Sequence, residues 1–165
     1  MTASPERKPA GELVRVVLGG EALTRLSPIL EADRARAVAD LEAENQFALL
    51  GPRAMPGPYG LHLSIQDGRL VFDIRDREEQ PISALILALG PFRSLIKDYH
   101  LLVDSHIKAV EEGRESRIQA IDMGRRGLHN EGAALMMQRL EGKAAIDFAT
   151  ARRLFTLLCV LHQRS

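Results

Sequence analysis

The stretch from Ile121 to Ala133, IDMGRRGLHNEGA, gathers side chains that suit proton transfer or anion binding. It holds two adjacent arginines, a histidine, an asparagine and two carboxylates among three glycines. Guanidinium groups bind carboxylates and phosphates through paired hydrogen bonds, and an imidazole changes its charge near neutral pH. The stretch is therefore the first candidate site, and its side chains of interest are Asp122, Arg125, Arg126, His129, Asn130 and Glu131.

Two backbone geometries are open for this stretch. In a continuous helix, Asp122, Arg125 and His129 share one face, because residues three and seven apart align. Arg126 and Asn130 then point elsewhere. The shared face is otherwise apolar, and its apolar members are Ile118, Ile121, Leu128 and Met136. Burying charged groups on such a face is costly unless they pair with one another or a ligand completes the set.

In the second geometry the helix is broken. Gly124 or Gly127 ends the first segment, and Asn130 caps the second. The loop between them then carries Arg125, Arg126 and His129 towards a helix N-terminus, whose free N–H groups suit an anion. Glu131 in that first turn already supplies a negative charge, which weakens the case for an anionic ligand.

A structural interpretation of the stretch stays open beside these two. In it the glycines permit close helix packing, and the arginines pair with acids such as Glu111, Glu112 or Asp122. The stretch contains neither the GxxxxGK(S/T) pattern of a P-loop nor the GxGxxG pattern of a dinucleotide-binding turn.

The second candidate site is a histidine–aspartate pair between Leu61 and Ile74. Asp67-Gly68 predicts a two-residue type I′ turn, which determines the register of a β-hairpin. In that register His62 lies opposite Asp73 on one face, and six apolar residues share the other. A carboxylate beside an imidazole orients it and raises its pKa, which suits a general base. A plain cross-strand contact is the alternative.

The remaining reactive side chains offer less. We expect His106 to be buried and bonded to a backbone carbonyl. His100 and Asp104 are too few ligands to predict a metal site. Cys159 is the only cysteine and lies in an apolar run, and no serine stands in a GxSxG pattern, so covalent catalysis is disfavoured. We expect no cofactor and no metal.

Composition restricts the class of protein. The 165 residues include 22 Lys and Arg against 22 Asp and Glu, with 4% aromatic residues and no tryptophan. This balance argues against nucleic acid as the main partner, although Arg152-Arg153 and Arg125-Arg126 can form a local basic patch. No apolar run reaches the length of a membrane span, and the N-terminus has no signal-peptide core. We therefore expect a cytoplasmic protein without a membrane partner.

The elements that position these side chains predict an α+β fold. We expect a disordered tail at 1–12, a single domain at 13–165 and a loop at 51–60. A small antiparallel sheet is built from the hairpin 61–74 and strands near 13–18 and 82–89. The 82–89 strand is apolar on both faces and suits a central position, with a buried helix as its alternative. About four α-helices pack against this sheet, the first capped by Ser27 and the last by Asp147.

Four segments carry a resemblance to a known family. They are GPYGLHLSIQDGRLVFDIR, GPFRSLIKDY, IDMGRRGLHNEG and ATARRLFTLLCVLH, in this order. Together they resemble an uncharacterised protein family of alphaproteobacteria, over about Leu13 to His162. The resemblance implies a cytoplasmic bacterial protein, and it implies no activity, cofactor or catalytic residue.

The function predicted from these residues is that of a small binding or adaptor protein. Its site at 122–131 recognises an anionic small molecule or a carboxylate of a protein partner. One alternative is an enzyme in which His129, Glu131 and the His62–Asp73 pair share a cleft for acid–base chemistry. Another is an interaction protein that forms homo-oligomers through its apolar helices.

Overall fold

The structure is a computed structural model that describes residues 12–20, 26–52 and 54–162. Of the predicted tail at 1–12, only Glu12 lies among the described residues. The strands are β1 (Leu13–Leu18), β2 (Phe47–Leu49), β3 (Tyr59–Gln66), β4 (Arg69–Arg75), β5 (Pro81–Ala88) and β6 (Ala144–Ile146). The α-helices are α1 (Pro28–Ala43), α2 (Arg93–Glu111), α3 (Glu115–Leu140) and α4 (Phe148–Leu161). This set of helices and strands confirms the predicted α+β class.

The predicted hairpin is confirmed in both turn and register. Asp67 and Gly68 have φ angles of 52° and 71°, as a type I′ turn requires. The turn joins β3 to β4 and places Leu63 opposite Phe72 and His62 opposite Asp73. The apolar face of the hairpin is buried in the same core as the helices, whereas His62 and Asp73 project from the other face.

The four-stranded sheet is mixed, so the prediction of a purely antiparallel sheet is wrong. Its strand order is β1-β3-β4-β5, and β1 pairs with β3 in parallel. A parallel pair needs a long crossover, and here α1 and the segment after it return the chain to the start of β3. Hydrophobic alternation shows which face of a strand is buried but contains no information on the direction of its neighbour.

Residues 81–88 form a strand, which decides against the helical alternative, but β5 lies at the edge of the sheet and not at its centre. Its outer face is exposed, and 49% of the Ile86 surface remains accessible. A further pair, β2 with β6, forms a two-stranded antiparallel sheet. Three residues are too few to show a strand periodicity, so the sequence pattern did not predict this pair.

The helical layer is organised around α4. Nine of its residues are buried, and it contacts α1, α2 and α3. Both predicted N-caps are confirmed: Ser27 accepts a hydrogen bond from the Leu30 N–H, and Asp147 accepts one from the Thr150 N–H. In the described ranges, no helix combines the length and the apolar character that a membrane crossing requires.

Candidate functional site

The candidate stretch is part of one uninterrupted helix, α3, which runs from Glu115 to Leu140. The broken-helix geometry, with an anion bound at an N-terminus near Asn130, is therefore wrong. Gly124 and Gly127 both lie within the helix, and neither has the positive φ that a helix-ending glycine would take. Gly132 has a packing role, since a Cβ at this position would overlap the ring of Phe155 in α4. The third glycine thus permits the close approach of the two helices, as the structural interpretation proposed.

A cleft of about 380 Å³ opens where α3 faces α1 and α4. We call it the arginine cleft, because five of the described arginines line it against three of the described aspartates. Its charged and titratable lining consists of Asp33, Arg36 and Asp40 from α1, Asp122, Arg125, Arg126 and His129 from α3, and Arg152 and Arg153 from α4.

Helix geometry explains why four candidate residues of α3 meet in this cleft. At 3.6 residues per turn, positions 122, 125, 126 and 129 fall within an arc of about 100°. Asp122, Arg125 and His129 share a face, as expected for a continuous helix. The expectation that Arg126 points elsewhere is wrong, because it lies four residues after Asp122 and borders the same cleft.

Arg125 is held in place by a buried network. Its guanidinium lies 2.9 Å from Asp33 Oδ2, and each of these two side chains is 20% exposed. The Tyr99 hydroxyl donates to the same oxygen at 2.7 Å and is fully buried. Burial and the neighbouring Asp33 carboxylate raise the pKa of Tyr99, so the phenol stays protonated and donates. Arg125 therefore pairs with α1 and not with Glu111, Glu112 or Asp122.

Two further arginines are tied to neighbouring elements. Arg152 Nε donates to Asn130 Oδ1 at 3.1 Å, and Arg153 donates to the Glu44 carbonyl oxygen at 2.9 Å, at the C-terminal end of α1. Arg36 and Arg126, by contrast, are exposed, and within 12–20, 26–52 and 54–162 neither has a hydrogen bond or an ion pair. Among the residues that the structure describes, the cleft thus contains two guanidinium groups without a protein partner.

His129 forms part of the inner wall of the cleft. Its ring lies edge-on to those of Tyr99 and Phe155, with centroid distances of 5.9 Å to each. Its Nδ1 is 2.8 Å from the Arg125 carbonyl oxygen, to which it donates. Burial lowers the pKa of His129, assisted by the charges of Arg152 and Arg125. The imidazole is therefore neutral at pH 7, and the positive charge of the cleft comes from the arginines.

Asn130 and Glu131 have other surroundings. Asn130 accepts the hydrogen bond from Arg152 and orients that arginine. Glu131 lies on the opposite side of α3, in a shallow groove that also contains Asp98 and Leu101 of α2. The structure therefore separates Glu131 from His129, with which an acid–base function was predicted.

The second candidate pair is adjacent in register but not hydrogen-bonded. His62 Nε2 lies 2.9 Å from Glu79 Oε1, whereas Asp73 accepts from Arg75 at 2.8 Å. Glu79 also pairs with Arg15 and Arg75. Burial and the nearby Arg75 lower the pKa of His62 and outweigh the opposite effect of Asp73. The expected rise in the pKa of His62 is therefore wrong.

The acid–base hypothesis that combines both candidate sites has no support from this geometry. His62 projects from the face of the sheet opposite to the buried face, and His129 lies in the helical layer. Of the other histidines, His106 has its Nε2 atom 3.9 Å from Asp122 Oδ1. It is His100 whose Nε2 contacts backbone carbonyls, those of Cys159 and His162. The expected type of contact is present at a different histidine.

Comparison with known proteins identifies the family. The sequence profile of UPF0262, described as an uncharacterised protein family, matches residues 10–164. The chain belongs to UPF0262. A UPF0262 protein of Granulibacter bethesdensis is 66% identical, over 97% of this chain and 94% of its own. UPF0262 proteins of Acidiphilium cryptum and Rhodospirillum rubrum are 61% and 46% identical, over 94% and 96% of this chain and 94% and 97% of their own. No solved structure matches the chain.

Several residues of the candidate sites in this UPF0262 protein were not predicted, among them Asp33, Arg36, Asp40 and Glu79. Asp33 lies three residues after Leu30 and four before Ala37, both buried, so its position beside an apolar stripe was a usable signal. Glu79 had no such signal in the charged segment RDREEQ. It is a non-glycine residue with a φ of 66°, a conformation that only the structure reveals.

Proposed function

We propose that this protein binds a small anionic ligand, with carboxylate or phosphate groups, in the arginine cleft. The observation that carries the proposal is the pair Arg36 and Arg126, which face one cleft from two helices without a protein partner among the described residues. Guanidinium groups in a concave site are suited to bidentate hydrogen bonds with such anions. A carboxylate of a protein partner would use the same chemistry. We expect this binding to occur in the cytoplasm.

Support comes from the order already built into the cleft. Asp33 and Tyr99 hold Arg125, and Asn130 holds Arg152, so these groups need little further ordering when a ligand binds. The three aspartates limit the excess of positive charge. They favour a small anion that contacts Arg36 and Arg126 over a long polyanion, which would have to pass the carboxylates.

Thermal denaturation with added anions tests the proposal. Inorganic phosphate, a phosphate monoester and a series of dicarboxylates are each added to the wild type and to Arg36→Gln/Arg126→Gln. At a concentration one hundred times the Kd, a ligand stabilises the native state by about 2.7 kcal/mol, which corresponds to a rise in Tm of roughly 5–10 °C for a chain of this size. We expect the double variant to lose this rise.

The matched control is Arg117→Gln, which removes an exposed arginine of the same helix outside the cleft. It should keep the full shift. Equal shifts in the wild type and the double variant would contradict the proposal, because the anion would then act elsewhere. The absence of a shift with every anion in the series would contradict it as well.

A further inference from the structure

The two edge strands of the four-stranded sheet differ in whether side chains satisfy their outward backbone groups. At the β1 edge, Asn45 accepts a hydrogen bond from the Leu13 N–H at 2.7 Å and donates to the Leu13 carbonyl at 2.8 Å. Glu42 accepts a hydrogen bond from the Val16 N–H at 2.9 Å. Side chains at the end of α1 thus satisfy backbone groups that an added strand would otherwise use.

Within the described part of the chain, the β5 edge has no comparable protection. Among the described residues, β4 is the one strand that pairs with β5, and no side chain forms a hydrogen bond with the backbone of 82–88. The strand is eight residues long, PISALILA, without a charged side chain. Its proline occupies the first position, where it does not interrupt the edge. A long, uncharged and apolar edge strand is a template for pairing with another strand.

We propose that two copies of this chain pair through β5 in antiparallel orientation and form a continuous eight-stranded sheet. This inference does not depend on the arginine cleft. With a two-fold axis at Leu85, each copy uses its own β5 strand in the contact. Both β5 edges are then occupied, so the assembly stops at a dimer and does not extend into a filament. It also keeps the core faces of the two sheets on the same side.

The side chains of β5 suit this self-pairing. With Leu85 opposite its own symmetry mate, Ile86 lies opposite Ala84 of the second copy, and Ile82 lies opposite Ala88. Each large side chain then meets a small one on the outer face, and no like charges face each other. Ile86, which is 49% exposed in one chain, gains a neighbour, and the outward backbone groups of both strands gain partners.

Sedimentation equilibrium tests the proposal on the full chain. We expect the wild type to have twice the 18.2 kDa mass of one chain. Ala84→Lys/Ile86→Lys changes two exposed residues and places like charges directly opposite in the dimer. Since like charges directly opposite each other destabilise a strand pair, the dissociation constant should rise by about a hundredfold or more. Circular dichroism verifies that the variant is folded.

A charge-complementary partner makes the test specific for this register. Ala84→Glu/Ile86→Glu should also be monomeric alone, and an equimolar mixture with the lysine variant should restore the dimer mass. Val110→Lys is the matched control, because Val110 is 53% exposed on α2 and lies away from the edge. The control should remain dimeric.

Three results would overturn the proposal. The first is a wild type that stays monomeric up to its solubility limit, and the second is a lysine variant that remains dimeric. The third is a mixture of the two charged variants that stays monomeric.

Discussion

Replacing Asp33 with alanine should destabilise the whole protein, although Asp33 lines an open cleft. Its Oδ2 atom accepts hydrogen bonds from the buried Tyr99 hydroxyl and from Arg125. These contacts join α1 to α2 and α3. The substitution removes both contacts at once and leaves the phenol and the guanidinium without their acceptor.

The expected loss follows from the burial of the two donors. A buried hydroxyl that loses its partner costs about 1–3 kcal/mol. Breaking a fully buried ion pair costs about 3–5 kcal/mol, but the Asp33 and Arg125 side chains are each 20% exposed, and solvent reduces that penalty to about 1–2 kcal/mol. We therefore expect Asp33→Ala to lower the free energy of unfolding by about 2–5 kcal/mol, and Tm by roughly 4–20 °C.

Urea denaturation of a double-mutant cycle measures the effect and isolates its cause. The cycle compares Asp33→Ala, Tyr99→Phe and the double variant. Once Asp33 is absent, removing the Tyr99 hydroxyl should cost little, because the group is already unpaired. The expected coupling energy between the two positions is about 1–2 kcal/mol. Asp98→Ala, an exposed aspartate of α2, is the control and should change stability by less than about 0.5 kcal/mol.

Additive effects of Asp33→Ala and Tyr99→Phe would refute this reasoning, since the hydroxyl would then gain nothing from the carboxylate. So would an Asp33→Ala protein that is as stable as Asp98→Ala. In either case helix packing, and not the hydrogen bonds with Asp33 and Tyr99, would hold Arg125 in place.

Two further predictions concern α3. Gly132→Ala should destabilise the protein by about 1–3 kcal/mol, because a Cβ there overlaps the Phe155 ring. Gly127→Ala, in open space on the same helix, should stabilise it by about 0.5–1 kcal/mol. Chemical denaturation measures both variants, and equal effects would contradict the close packing of α3 and α4. Burial lowers the pKa of His129 below its ordinary 6.5, so the unfolded chain binds this proton at a higher pH than the folded one. Stability should therefore fall as the pH drops below about 6.5, with a smaller slope in His129→Gln, and identical slopes would exclude His129 as the cause.

Local chemistry made part of this fold predictable. Asp67-Gly68 specified the turn, and the turn specified every cross-strand pair of the hairpin. Asp147 marked the start of α4 because its side chain caps a helix within three residues. These features depend on neighbours in the sequence, which is why pattern and structure agree on them.

Features that depend on distant segments were not predictable in the same way. The parallel direction of β1 is decided by the crossover through α1, and the partner of Arg125 is 92 residues away. The position of β5 shows a further limit. Apolar character on both faces indicated a central strand, because such strands are usually covered on both sides. In this chain β5 is an edge strand with an exposed outer face, so apolar residues on both faces did not indicate its place in the sheet.

The small β2–β6 sheet has a consequence for the timing of folding. The Gln46 N–H donates to Thr150 Oγ1, 104 residues later, and Phe47 pairs with Ile146. A ribosome adds about 5–20 residues per second, so β2 waits roughly 5–20 s for its partner during synthesis. The first half of the chain cannot complete its structure until α4 has emerged. A chain that ends before α4 would therefore lack the contacts that hold α1 and β2 in place. We expect cellular proteases to degrade such a chain.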